Sequence, residues 1–288
     1  MEKPVLLFLS GGPGIPEYFL EYQYPTFLED EFIVCFLDWR GTELSYGKSV
    51  TPESMTRGQF IADTFEVTEY LREQFNTDKI YLAAHSFGTS IGIQAIAERP
   101  ELYKGYIAIG QMSDQPRSEQ LAYEYMLSLC ERENNQTLLE QLTDNPFGTD
   151  SYFNSGVRDK AMHALGVGTT RNMKSVITGI FFPSFRMTDY SLKERINIWR
   201  GKSFVNQTMQ DIFKFNAFET VKSVNVPVYF FAGKYDYTCC YELQKEYFDF
   251  LEAPEKYFYT FENSAHSPLF EEPQKAEEMI KFIKGRTE

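Results

Sequence analysis

Short apolar runs alternate with longer amphipathic stretches over the first 110 residues. Val5 to Leu9 is apolar throughout and stops at Ser10-Gly11-Gly12-Pro13-Gly14. A continuous apolar run closed by glycines predicts a strand buried on both faces. Phe32 to Leu37 repeats the pattern and ends at Asp38-Trp39-Arg40-Gly41, and Ile80 to Ala84 and Tyr106 to Ile109 supply two more. Between the second and third runs, Phe60, Thr64, Val67, Leu71 and Phe75 recur at helical steps and mark one buried face. Helices are also expected over 16–29 and 88–99, the latter stopping at Arg99-Pro100. Strands alternating with helices predict parallel pairing, with helices covering both faces of the sheet: an α/β fold.

From about Gln111 to Glu219 the pattern changes. The stretch Ser118–Leu142 is amphipathic and rich in Glu and Gln, and loop-like segments such as Asn145-Pro146-Phe147-Gly148 follow. No buried strand is evident there, so 111–219 is expected to be a mostly helical insertion. It divides a core formed by 1–110 and 220–288. The alternation resumes with Val226 to Ala232, a helix near Tyr241–Leu251, a strand at Tyr257–Phe261 and a last helix around Gln274–Lys284.

Composition narrows the possible partners. The chain of 288 residues has 28 basic and 41 acidic side chains, a net charge of −13, which disfavours nucleic acid and anionic membranes as partners. No apolar run approaches the ~20 residues of a membrane span, and no charged n-region precedes an apolar segment at the start. A cytoplasmic protein is expected, with Cys35, Cys130, Cys239 and Cys240 reduced and buried. No disulfide framework and no structural zinc site is expected from their spacing.

The third run leads through Ala84-His85-Ser86-Phe87-Gly88 directly into a helix. A strand–turn–helix with Ser at its apex exposes the hydroxyl above the sheet, and small residues two positions before and after let the backbones approach. Ala84 and Gly88 meet that need. A serine hydroxyl needs a base to accept its proton. Of the three histidines, His85 is adjacent on a tight turn and expected to point away, and His163 falls in the insertion. His266 lies in a polar loop just after the last strand, which leaves it as the base. A base of this kind needs a carboxylate partner. Asp236 lies just beyond the strand that ends near Gly233. The order Ser86, Asp236, His266 is the α/β-hydrolase order of nucleophile, acid and base. Oxyanion donors are expected from the backbone N–H of Phe87 and from the Gly11-Gly12 turn.

Gly11-Gly12-Pro13-Gly14, Asp38-Trp39-Arg40-Gly41, His85-Ser86-Phe87-Gly88, Gly233-Lys234-Tyr235-Asp236 and Ala265-His266-Ser267 together span nearly the whole chain. With these motifs it resembles the α/β-hydrolase superfamily, most closely its proline iminopeptidase-like branch, with 111–219 matching the helical cap. The resemblance implies catalytic roles for Ser86, Asp236 and His266, oxyanion donors at Gly12 and Phe87, and no metal or organic cofactor. It implies release of an N-terminal residue, often proline, from short peptides, with cap carboxylates binding the ammonium group. Glu119, Glu124 and Glu194 are the candidates for that task, and Trp39 is a further substrate-binding candidate. The chain departs from the branch at Ser10 (usually His), Trp39 (usually Gln), Phe87 (usually Trp) and Ala84 (usually Gly).

The branch also carries two strands before the position of Val5. Without them a sheet edge is left uncovered, and either reduced stability of the isolated chain or association into a homodimer is expected. Two other functions share the motifs. One is a carboxylesterase whose acyl pocket is lined by Phe181, Phe182, Phe185, Trp199, Phe204, Phe213 and Phe215. The other is a non-catalytic binding protein on the same scaffold.

Overall fold

The structure, a computed structural model, describes residues 3–209 and 214–287. The six apolar runs become six strands: β1 (Val5–Leu9), β2 (Ile33–Leu37), β3 (Ile80–His85), β4 (Tyr103–Ile109), β5 (Val228–Gly233) and β6 (Lys256–Phe261). They form one sheet in the order β2-β1-β3-β4-β5-β6, and every neighbouring pair is parallel. The chain moves outward from β1 to β2, then returns to place β3 on the other side of β1. That reversal opens a crevice beyond the carboxyl ends of β1 and β3, the usual ligand position in such sheets.

Strands β1, β3 and β5 are buried along their whole length, as apolar runs closed by glycine require. Leu6, Phe8, Leu82 and Phe230 are 0% exposed, each worth about 1.5–3 kcal/mol of burial. The second run differs from expectation: β2 is only half-buried at all five positions. It lies at the sheet edge and pairs with β1 alone, so a fully apolar sequence does not guarantee cover on both faces.

Helices flank the sheet, among them Arg57–Gln74, Phe87–Glu98, Tyr241–Phe250 and Pro273–Thr287. The helix expected over 16–29 is broken into Glu17–Gln23 and Leu28–Glu31, because Pro25 cannot continue the first piece and disfavours helical backbone at Tyr24. The stretch Ser118–Leu142 is likewise two helices, Gln115–Arg132 and Gln136–Asp144, the second started by the Asn135 side chain accepting from the Leu138 N–H.

Between β4 and β5 the described residues form helices, including Val157–Ala164 and Leu192–Thr208, and no strand. Ala122, Met126, Leu142, Tyr152 and Met162 build a core there that is separate from the sheet. A second cluster joins Ile180, Met187 and Ile198 to Ile15 and Phe19, next to the turn after β1. Among the described residues no helix is long and apolar enough to cross a membrane. All four cysteines are free; Cys35, on the edge strand, is half-buried and the other three are buried.

Candidate active site

Ser86 sits at the apex between β3 and the helix Phe87–Glu98, with φ 53° and ψ −119°. A non-glycine residue rarely occupies this backbone conformation, so the turn at Ser86 is strained. The close approach that permits it is visible at Gly88: an added Cβ would lie 2.3 Å from the Leu9 carbonyl oxygen. At Ala84 a methyl group is accommodated, fully buried.

The Ser86 hydroxyl lies 2.7 Å from Nε2 of His266, and Nδ1 of His266 lies 2.9 Å from Oδ2 of Asp236. The carboxylate is fully buried and held on all sides. Its Oδ1 accepts the backbone N–H groups of Thr238 and Cys239, each at 2.9 Å, and its Oδ2 also accepts from Gln244 at 3.0 Å. So fixed, it keeps the proton of the imidazole on Nδ1 and leaves Nε2 free to accept one from the hydroxyl. Gly110 packs against the ring, where an added Cβ would sit 3.1 Å from Nδ1.

Gly12 and Phe87 both line the cavity that contains Ser86. Gly12 has φ +104°, a conformation L side chains rarely adopt, so glycine is required to turn the chain after β1. Phe87 opens its helix, where the N–H has no partner within the helix and the dipole favours negative charge. Neither amide donates to a protein acceptor among the described residues. Such a pair can hold a negative oxygen.

His85 does point away from the hydroxyl, but it is not idle. Its Nδ1 is 3.0 Å from Oε1 of Glu17, and its Nε2 is 3.0 Å from the backbone oxygen of His266. Glu17 also accepts the Gly11 N–H at 3.4 Å. This buried pair therefore ties the turn after β1 to the loop that carries His266. Burial works against a charged His85 ring, yet the facing Glu17 carboxylate and the His266 carbonyl win, and its pKa lies above the ordinary imidazole value. His163 packs within the insertion, bonded to the Asp159 carbonyl and the Thr169 hydroxyl.

Two adjoining cavities of about 390 and 270 Å³ share Gly12, Ser86, Arg158, Asp159, Lys202 and Thr238. The larger also reaches Glu119 and Met209; the smaller reaches His266 and the apolar side chains of Ile15, Leu20, Met162 and Ile180. Glu119 is thus at the site, but its carboxylate is taken by Arg158, at 2.6 and 2.5 Å, and by Gln115 at 3.0 Å. Arg158 also holds Asp159 at 2.7 Å.

The other three substrate-binding candidates are not brought to these cavities. Trp39 is fully buried beneath Phe87, and its indole N–H donates to the Ser10 carbonyl at 2.9 Å; it is a packing residue. Glu194 is half-buried and closes a capping box with Ser191 at the start of the helix Leu192–Thr208. Glu124 is exposed, bonded to Gln120, and lines a separate surface hollow with Arg117 and Tyr125. Among the described residues, the aromatic candidates for an acyl pocket do not line these cavities either. Phe181, Phe182, Phe185 and Trp199 pack against one another, Phe204 packs at Gly41, and Phe215 is buried in the main core. Phe213 lies outside the described residues.

Comparison with known proteins agrees with the fold. A family described as alpha/beta hydrolase fold matches residues 4–273. A curated relative from Bacillus subtilis (strain 168), named "Probable aminopeptidase YbaC", is 34% identical over 276 residues, covering 95% of this chain and 86% of the relative. Among solved structures, VinJ superposes with a TM-score of 0.68 at 17% identity, covering 98% of this chain and 90% of that one. A proline iminopeptidase from Mycobacterium smegmatis superposes with a TM-score of 0.63 at 13% identity, covering 99% and 90%.

Proposed function

The chain belongs to the alpha/beta hydrolase family, and we propose that within it this protein is a serine aminopeptidase that releases the N-terminal residue of short peptides. The observation that carries the reading is the unbroken line from Asp236 through His266 to Ser86, with spacings of 2.9 and 2.7 Å. Ser86 Oγ attacks the carbonyl carbon while its proton passes to Nε2 of His266. The oxygen that becomes negative meets the Gly12 and Phe87 amides. His266 then returns the proton to the leaving amine as the C–N bond breaks. Water, deprotonated by the same imidazole, hydrolyses the acyl ester and restores the hydroxyl. In this reading the N-terminal residue lies in the larger cavity, which Glu119, Arg158 and Asp159 line together with Gly12 and Phe87.

Two facts favour an amide substrate over an ester. The 34% identical relative carries the name "Probable aminopeptidase", and among the described residues the aromatic side chains that would serve an acyl pocket pack elsewhere. A panel of aminoacyl-naphthylamides and p-nitrophenyl esters tests the choice. Turnover of aminoacyl amides supports the proposal; rapid turnover of short-chain esters with none of any aminoacyl amide overturns it in favour of a carboxylesterase.

A further inference from the structure

Among the described residues, the Lys202 ammonium is a cation at the site with no ion-pair partner. It projects from the helix Leu192–Thr208 and lines both cavities that contain Ser86. Its root is fixed, because its Cα lies only 3.0 Å from where a Cβ at Gly14 would stand, so the helix is seated on the turn that carries Gly12. Arg158 is bound by two carboxylates. The Lys202 side chain, by contrast, makes no hydrogen bond or ion pair among the described residues. Burial pulls its pKa down, and Asp159 and Glu43 oppose that without reaching contact. A partly desolvated ammonium without a counter-ion is costly unless a ligand supplies one.

Glu17, which also lines the smaller cavity, is held by the His85 ring; the remaining formal charges around the cavities cancel, Glu119 and Asp159 against Arg158 and Lys202. They are not evenly placed. The two carboxylates cluster on Arg158 and leave a local excess of one negative charge, while Lys202 makes no ion pair with either of them or with any other described residue. That arrangement complements a zwitterion. The leaving amine must collect its proton from His266, which lines the smaller cavity, and Lys202 lines it too. At about 270 Å³ that cavity falls at the small end of ligand sites, which suits a short leaving group.

We propose that Lys202 receives the free C-terminal carboxylate of the leaving residue, so that the preferred substrates are dipeptides and similarly short peptides with an unblocked C-terminus. The inference rests on the aminopeptidase reading above and adds to it the charge of the leaving side. In a dipeptide the carboxylate is two bonds from the scissile nitrogen. A lysine that lines the same small cavity as the base is therefore in a position to meet it.

The test compares kcat/KM for alanyl-alanine and alanyl-alanine amide, together with the protection each gives Ser86 against a fluorophosphonate probe. Wild type is expected to prefer the free acid by about tenfold or more. Lys202→Met, which keeps the length of the side chain without its charge, should abolish the preference mainly through KM, and Lys202→Arg should retain part of it. Equal use of and equal protection by acid and amide in the wild type overturns the proposal, as does a preference that survives in Lys202→Met. Should Ser86 label while acid and amide behave alike, only this inference fails. If folded protein is not labelled at Ser86 at all, the aminopeptidase reading falls and takes the inference with it.

Discussion

Nε and Nη2 of Arg158 reach the two carboxylate oxygens of Glu119 at 2.6 and 2.5 Å inside the cavity that holds Ser86. Glu119 is 1% exposed, so this is a buried, two-pronged ion pair rather than a surface contact. Removing one partner leaves the other charge buried, a loss of about 3–5 kcal/mol in typical cases. Glu119→Ala should therefore lower the urea midpoint strongly without changing the slope of the transition. The double replacement Glu119→Leu with Arg158→Met should recover much of that loss. Equal destabilisation by the single and double variants would count against the pair as described.

The Glu17–His85 pair makes a separate prediction. A carbonyl oxygen accepts and never donates, so Nε2 of His85 must carry a proton toward His266. Glu17 anchors the other nitrogen and the Gly11 amide. Glu17→Ala frees both the oxyanion turn and the base loop, and small misplacements at such sites cost on the order of 10²-fold in rate. The expected result is a fall in kcat with KM little changed. A fall confined to KM would show that the pair serves binding instead.

Gly88 predicts a packing failure. Gly88→Ala would push a methyl group to 2.3 Å from the Leu9 carbonyl oxygen, a backbone atom that cannot step aside cheaply. The variant should unfold at lower temperature and lose activity together. Wild-type melting of Gly88→Ala would contradict the contact between the β1 end and the elbow.

Stability should depend on pH through buried acids. Burial raises the Glu21 and Glu271 carboxyls to about 7, despite hydrogen bonds from Thr26 to the first and from Arg171 and Ala265 to the second. Burial also raises Glu43 well above the ordinary value, next to Asp38, and neither of its oxygens has a hydrogen-bond partner. The folded protein thus holds more protons on these groups than the unfolded chain, and stability falls as pH rises from about 4.5 to about 7. The raised His85 acts in the same direction, since the contribution of its ion pair is lost as pH climbs through its folded value. Melting temperature should be higher near pH 5.5 than near pH 8. Glu43→Gln, whose amide can donate to Asp38, should narrow that gap by stabilising the protein at pH 8. An unchanged gap would reject the buried acid at position 43.

Much of this was legible in the sequence. All six strands follow from apolar runs stopped by turn residues, and Ser86, Asp236 and His266 follow from their places just beyond β3, β5 and β6. The structure brings those three together. What stayed hidden depends on contacts between distant segments that leave no local pattern. Glu17 meets His85 across the fold, Gln244 steadies Asp236, and Arg158 occupies Glu119; no spacing announces any of them. Two errors had a readable remedy. Ser191-Leu192-Lys193-Glu194 is a capping-box sequence, which explains Glu194 as a helix start rather than a substrate ligand. Pro25 stands inside the stretch read as one helix over 16–29, and the break falls there.

The central claim is that Ser86 is the activated nucleophile of this site. Treatment of the folded protein with a fluorophosphonate, followed by peptide mapping, tests it most directly. The account predicts a single adduct on Ser86, absent in Ser86→Ala and slowed by orders of magnitude in His266→Ala. An adduct on another residue, or none at all in protein shown to be folded, would contradict it.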